Sequence, residues 1–165
     1  MSNRSNLSNL YTGKAGHLAV MAELLLRGWN TAIPEVDIGD DIFVVHDRKG
    51  DLYRVQVKTA VAKPQQYGHS AQFNIPISQL QREMEPDITY VFAVRLHIRH
   101  QSRWDNFVVI DRQDIEKYRE DGMGSENRGR LVLYLRFEKE SITCNGYDLS
   151  QYRNAWDTRF PVVAG

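Results

Sequence analysis

The chain has 165 residues, 42% hydrophobic and 25% charged, with 21 Lys plus Arg balanced by 21 Asp plus Glu. This length and mix suit one globular domain, 1–165, with a single substantial core. Zero formal net charge excludes an overall basic surface, so nucleic-acid binding would have to come from a local patch.

No apolar run approaches membrane-spanning length, and Met1 to Leu10 is too polar for a signal peptide. The lone Cys144 excludes an intramolecular disulfide and points to a reducing compartment. The expectation is a soluble cytoplasmic protein with no membrane partner. The five histidines show no zinc-ligand spacing with Cys144, which excludes a structural zinc site.

In chain order, Met1 to Ser8 is rich in Ser and Asn and predicts a frayed start. Lys14 to Arg27 predicts a helix. Leu18, Met21 and Leu25, with Val20, Ala22 and Leu24, give it a broad apolar face for burial, and Gly28 stops it. Thr31 to Val36 predicts a first strand. A hairpin follows, with arms Val36 to Val45 and Leu52 to Thr59. Ala60 to Gly68 reads as loop, Gln72 to Ile77 as a short strand, and Ser78 with Gln81 as a capping box for a helix ending near Pro86. Ile88 to Ile98 predicts the longest and most central strand, since Tyr90 to Val94 is almost continuously apolar. Phe107 to Ile110 predicts another strand. Asp111 and Asp114 cap a helix through Arg119. Asp121 to Gly129 reads as a mobile loop, Leu131 to Phe137 and Ser141 to Cys144 as strands, and Tyr147 to Trp156 as a short helix. This order implies an α/β fold with a mixed sheet.

The hairpin carries the chemistry. Along its second arm Tyr53, Val55 and Val57 point one way and Arg54, Gln56 and Lys58 the other. Asp41 opens the partner arm. A carboxylate, an amide oxygen and a lysine brought together can hold a divalent metal and a water beside a phosphodiester. Register decides whether they meet. A four-residue loop, Asp47 to Gly50, sets Asp41 opposite Gln56. A five-residue loop sets it opposite Val57, on the wrong face, unless a bulge corrects it. The expectation is convergence by either route. Asp37 and Asp40 read as turn residues, with Asp40 the alternative metal ligand if the register slips.

Gly13-Lys14-Ala15-Gly16 lacks the ending of a phosphate-binding loop and has no strand before it, which excludes a Walker motif. Lys14, at the expected helix start beside free backbone N–H groups, is placed to hold a phosphate. Arg95, His97 and Arg99 alternate on one face, with His100 and Arg103 following, and form the best candidate footprint for DNA phosphates.

The Asp…Gln-x-Lys pattern alone arises in any amphipathic strand. With the preceding helix and the Val36-Asp37-x-Gly39-x-Asp41 lead-in, however, residues 13–59 resemble the PD-(D/E)XK nuclease superfamily, closest to its Holliday-junction-resolvase-like and restriction-endonuclease-like branches. The resemblance implies a restriction-endonuclease-like core, a mixed β-sheet flanked by helices, with residues 60–165 completing the sheet and carrying specificity. It implies a Mg²⁺-dependent DNA endonuclease, with Mn²⁺ able to substitute, acting as a homodimer or higher homo-oligomer. Asp41 would be the metal aspartate, Gln56 would stand at the usual Glu or Asp, the Val57 carbonyl would add a ligand, and Lys58 would be the motif lysine. His17 stands where the family's helix glutamate is expected. It would bind the scissile phosphate, position water or help hold a second metal. Glu23, about 240° around the helix from His17, and Glu35 are alternative acidic substitutes. Gln56 removes one negative charge and should weaken metal binding. These departures motivate the alternative of a nuclease-fold DNA-binding or interaction module without catalysis.

Overall fold

The computed structural model describes residues 2–36, 39–98 and 101–163. Asp37, Arg99 and His100, singled out above, lie outside the described residues. The first element, α1 (Ser2–Leu26), starts well before Lys14. No proline interrupts Ser2 to Gly13, so the polar start extends the helix instead of fraying it. Gly28 ends it at φ +84°, where only glycine sits without strain. Trp29 N–H donates to the Leu24 carbonyl (3.1 Å) and Gly28 N–H to Leu25 (2.9 Å), a Schellman closure.

The remaining elements are β1 (Asn30–Ala32), β2 (Ile42–Val45), β3 (Leu52–Val61), β4 (Lys63–Pro64), β5 (His69–Pro76), α2 (Ile77–Leu80), β6 (Ile88–Ile98), β7 (Gln101–Asp111), α3 (Arg112–Glu120), β8 (Ser125–Asn127), β9 (Arg130–Phe137), β10 (Ile142–Cys144) and β11 (Tyr147–Asp148). Two 3₁₀ turns, Ser150–Tyr152 and Trp156–Thr158, replace the helix expected over Tyr147 to Trp156.

The strands form two sheets. The first runs β1-β2-β3-β6-β7 and is mixed, with β3 and β6 parallel and the other pairs antiparallel. A parallel pair needs a crossover, supplied here by β4, β5 and α2. The second sheet, β11-β10-β9-β5-β4 with β8 also on β9, is antiparallel. Its inner face meets the first sheet through Phe73, Ile75, Leu133 and Leu135 against Tyr90, Phe92 and Val94. On the first sheet's other face Val20 and Leu24 of α1 pack with Val55, Val57 and Val91. A mixed sheet with flanking helices is therefore present, and a second sheet covers the face away from α1.

Several expectations change. Leu18 and Leu25 are each 54% exposed, and only Val20 and Leu24 of the α1 face are fully buried. The predicted capping box is absent: α2 is one turn, and Ile77 N–H is satisfied by the Gly129 carbonyl. Asp111 does not cap α3 with its side chain, because Arg159 and the Thr89 hydroxyl occupy its carboxylate. The loop after Glu120 contains β8, held on β9. Among the described residues no helix is long and apolar enough to cross a membrane.

Candidate active site

The hairpin register brings the key groups together. Val45 pairs with Leu52, and His46 N–H donates to the Asp51 carbonyl at 2.9 Å, so the loop is the four residues Asp47 to Gly50. The ladder continues to Ile42 opposite Val55, with Asp41 N–H on the Val55 carbonyl at 2.9 Å. That last bond is one residue out of the ladder's step: Asp41 and Ile42 both stand against Val55, the two-against-one pattern of a bulge, and it is the Asp41 carboxylate that reaches Gln56.

Strand β2 starts at Ile42, so β3 has an unpaired rim beyond Val55. The Asp41 carboxylate fills it. Its Oδ2 accepts from Val57 N–H at 2.7 Å and from Gln56 Nε2. In an extended strand a residue's N–H and C=O point to the same side, so the Val57 carbonyl faces this rim too. Gln56 Nε2 lies 3.5 Å from it. His17 Nε2 is 3.4 Å from Asp41 Oδ2. Lys58, two residues beyond Gln56 on the same face, is partly buried.

His17 reaches Asp41 because Gly16 lets α1 touch β3. A Cβ on Gly16 would lie 2.1 Å from Thr59 Oγ1. Gly16→Val is expected to push the helix outward and cost about 1–3 kcal/mol in overpacking. This should read as a fall of roughly 5 °C in Tm with His17 withdrawn from Asp41.

Lys14, His17, Asp40 and Asp41 line a cavity of about 450 Å³, walled by Leu10 and Pro34. Lys14 sits in mid-helix, because α1 starts at Ser2. It lines the cavity, but the free N–H groups expected beside it are spent in the helix. Asp40 is no simple turn residue: its side chain is fully buried and paired with Arg54 at 3.0 Å. Glu23 pairs with Arg27 on the same helix. Glu35 is exposed, just past the cavity wall.

Behind the rim, Gln56 and Tyr90 are register partners on β3 and β6. Gln56 Oε1 and the Tyr90 hydroxyl are both buried without a hydrogen-bond partner among the described residues. Burial, opposed in part by Arg112, pushes the Tyr90 phenol well above its ordinary range, so it stays protonated. The orphaned Gln56 oxygen bears on metal binding. A half-turn of the amide exchanges its nitrogen for that oxygen and would set the oxygen beside Asp41. Asp41, Gln56 and the Val57 carbonyl then make a hard oxygen donor set suited to Mg²⁺ or Mn²⁺, with His17 next to it. Among the described residues no three His, Cys, Asp or Glu side chains cluster for a metal, so an ion here would rest on one carboxylate.

The basic residues divide. A bulge between Val94 and Arg95 shifts the β6–β7 register. Arg95 and His97 both reach the Ser102 hydroxyl, at 2.8 and 2.9 Å. Arg103 pairs opposite Leu96, on the other face. One continuous basic stripe including Arg103 is not formed. Trp104 packs against the α1-side core, while Tyr67 is 73% exposed.

Sequence reasoning did not connect Arg54 to Asp40, Tyr90 to Gln56, or Gly16 to Thr59. Only the first had a local signal: Arg54 shares the Gln56 and Lys58 face, and an arginine facing inward requires a carboxylate.

No family model and no curated protein matches the chain. Among solved structures, a bacterial homing endonuclease, I-Ssp6803I, is similar at a TM-score of 0.57 and 18% identity. The match covers 89% of this chain and 87% of that one. At that identity the likeness is one of fold, and the α/β fold of this chain is that of a nuclease structure.

Proposed function

We propose that this protein is a metal-dependent DNA endonuclease of the PD-(D/E)XK type that hydrolyses phosphodiester bonds. The carrying observation is the meeting of the Asp41 carboxylate, Gln56 amide and Val57 backbone at an open strand rim. The fold shared with a homing endonuclease supports the same reading. Mg²⁺ or Mn²⁺ held there would supply Lewis acidity and lower the pKa of a bound water. Lys58 would stabilise charge developing on phosphorus or hold the attacking water. His17 would orient Asp41 and, with Lys14, hold neighbouring phosphate oxygens across the cavity.

The test is incubation of supercoiled plasmid, branched DNA and single strands with Mg²⁺ or Mn²⁺. Lys58→Ala is expected to cut about a hundredfold more slowly. Equal cutting by both proteins would assign the activity elsewhere.

One observation favours the second reading, a binding module without catalysis. The Gln56 amide donates to Asp41 and satisfies the carboxylate with no ion. Calorimetry with Mn²⁺ separates the two: saturable heat supports the enzyme, and its absence supports the module.

Cutting both strands of a duplex with one small domain favours a two-fold pair. Tyr11, Leu18 and Leu25, seven residues apart on α1, are exposed at 71%, 54% and 54%, a surface suited to a second copy. The double variant Leu18→Glu/Leu25→Glu is expected to sediment as monomer where the unmodified protein sediments as dimer or larger.

A further inference from the structure

The second sheet has an outward face whose composition differs from the rest of the chain. Along β5, Gln72 and Asn74 point out while Phe73 and Ile75 point in. Along β9, Arg130, Tyr134 and Arg136 point out while Leu131, Leu133 and Leu135 point in. The register sets Gln72 opposite Tyr134, and β4 adds Lys63 opposite Ser70. Within the spans of β4, β5, β8, β9 and β10 this face carries three cations and no carboxylate, although the chain has as many acidic as basic residues. Glu126 of β8 falls on the inner parity and pairs with Arg119. Acidic groups appear at the edge: Glu138 and Glu140 in the turn after β9, and Asp148 on β11, where it accepts from Ser150.

We propose that the outward face of the β5–β9 ribbon is a sequence-reading surface for the major groove of duplex DNA. This deepens the nuclease reading above and rests on it for the choice of nucleic acid. The chemistry fits base edges. Amides at Gln72 and Asn74 match the paired donor and acceptor of adenine, and guanidinium groups at Arg130 and Arg136 match guanine or a phosphate. Around Gln72 and Tyr134 the sheet is two strands wide, since β4 and β10 pair only beyond Ala71 and Leu135 and β8 only beyond Phe73 and Leu133, and a two-stranded antiparallel stretch fits a major groove about 12 Å wide. Eight paired residues extend about 26 Å, the rise of roughly eight base pairs at about 3.4 Å each.

The ribbon is also anchored beside the candidate active site. Its end at Pro76 runs into α2, whose Gln79 packs on Gly39, two residues before Asp41. Asn74 and Arg130 thus belong to the end near the cut, and Arg136 reads roughly six base pairs further on, about 20 Å along the strand.

The test measures binding in EDTA, so it does not depend on cleavage. A duplex library with twenty randomised base pairs is selected with the unmodified protein, with Gln72→Ala/Asn74→Ala and with Arg130→Glu/Arg136→Glu. Arg48→Glu/Lys49→Glu, on the hairpin turn, controls for net charge. The unmodified protein is expected to enrich defined sequences. The amide variant should lose enrichment at least tenfold at adjacent positions, and the arginine variant should bind at least tenfold more weakly. The charge control should do neither. Duplex RNA, whose major groove is too deep and narrow for a ribbon, should not compete. The proposal falls if both ribbon variants select and bind as the unmodified protein does, if the charge control loses as much affinity, if RNA competes equally, or if no sequence is enriched. Plasmid nicking with metal, run in parallel, reports on the nuclease reading alone: nicking without enrichment sinks the ribbon and spares the enzyme, and enrichment without nicking does the reverse.

Discussion

Asp41→Ala is expected to abolish saturable Mn²⁺ heat and slow plasmid cutting by about a thousandfold or more. In the proposed site the carboxylate would be the one anionic ligand, so its loss would leave an amide and a carbonyl, too weak a set to hold a hard dication. A thousandfold corresponds to about 4 kcal/mol of barrier, within what metal-assisted charge stabilisation supplies. The effect on folding should be small by comparison. Val57 N–H and Gln56 Nε2 lose their acceptor, but Asp41 lines the cavity, from which water can replace it, at about 1 kcal/mol. Asp41→Asn sharpens the comparison. It keeps the shape, and its oxygen can still accept from Val57, but it removes the charge. Metal heat lost in both variants with Tm nearly unchanged would fit a ligand. Equal heat in all three proteins would overturn the assignment.

Arg54→Ala is expected to be the most destabilising of these changes, by about 3–5 kcal/mol. At this chain length that is a fall of roughly 10 °C in Tm. The asymmetry of the pair is the reason. Asp40 has a side chain with no exposure, while Arg54 is 18% exposed. Removing the arginine strands an anion that cannot reach water. Asp40→Asn leaves a cation that can, and should cost markedly less. Thermal melts of both variants check the order, and an equal or reversed order would mean that Asp40 is not carried by Arg54. The neighbouring Asp41 makes a secondary effect visible: Arg54→Ala should also weaken metal binding, through displacement of the Gly39 to Asp41 segment.

The parts legible from sequence were local ones. Alternation identified the hairpin arms, and counting loop residues set the register as far as Ile42 opposite Val55, while the step out of register at Asp41 had no signal in the count. Ile88–Ile98 was readable because its centre, Tyr90 to Val94, is buried on both faces and uniformly apolar. Long-range partners were not readable. Strand β5 joins β9 across the whole β6–β7 hairpin and α3, and nothing in either strand names the other. The bulge at Val94 and Arg95 moved Arg103 off the expected face, since one extra residue inverts every later side chain. The apolar residues of α1 announce burial but not which of them, because the helix is apolar around much of its circumference from Leu18 on, and of the apolar side chains described there only Val20 and Leu24 are fully covered by the sheet.

The early end of β2 has a last consequence. The candidate groups lie at the sheet's edge beside the cavity that Asp41 lines, so on the proposed reading a long polymer would settle against that cavity sideways at any point of its length. No terminus has to be threaded in. A covalently closed circle should therefore be as good a substrate as the same molecule linearised, and the first product from the circle should be an interrupted ring with no mononucleotides released.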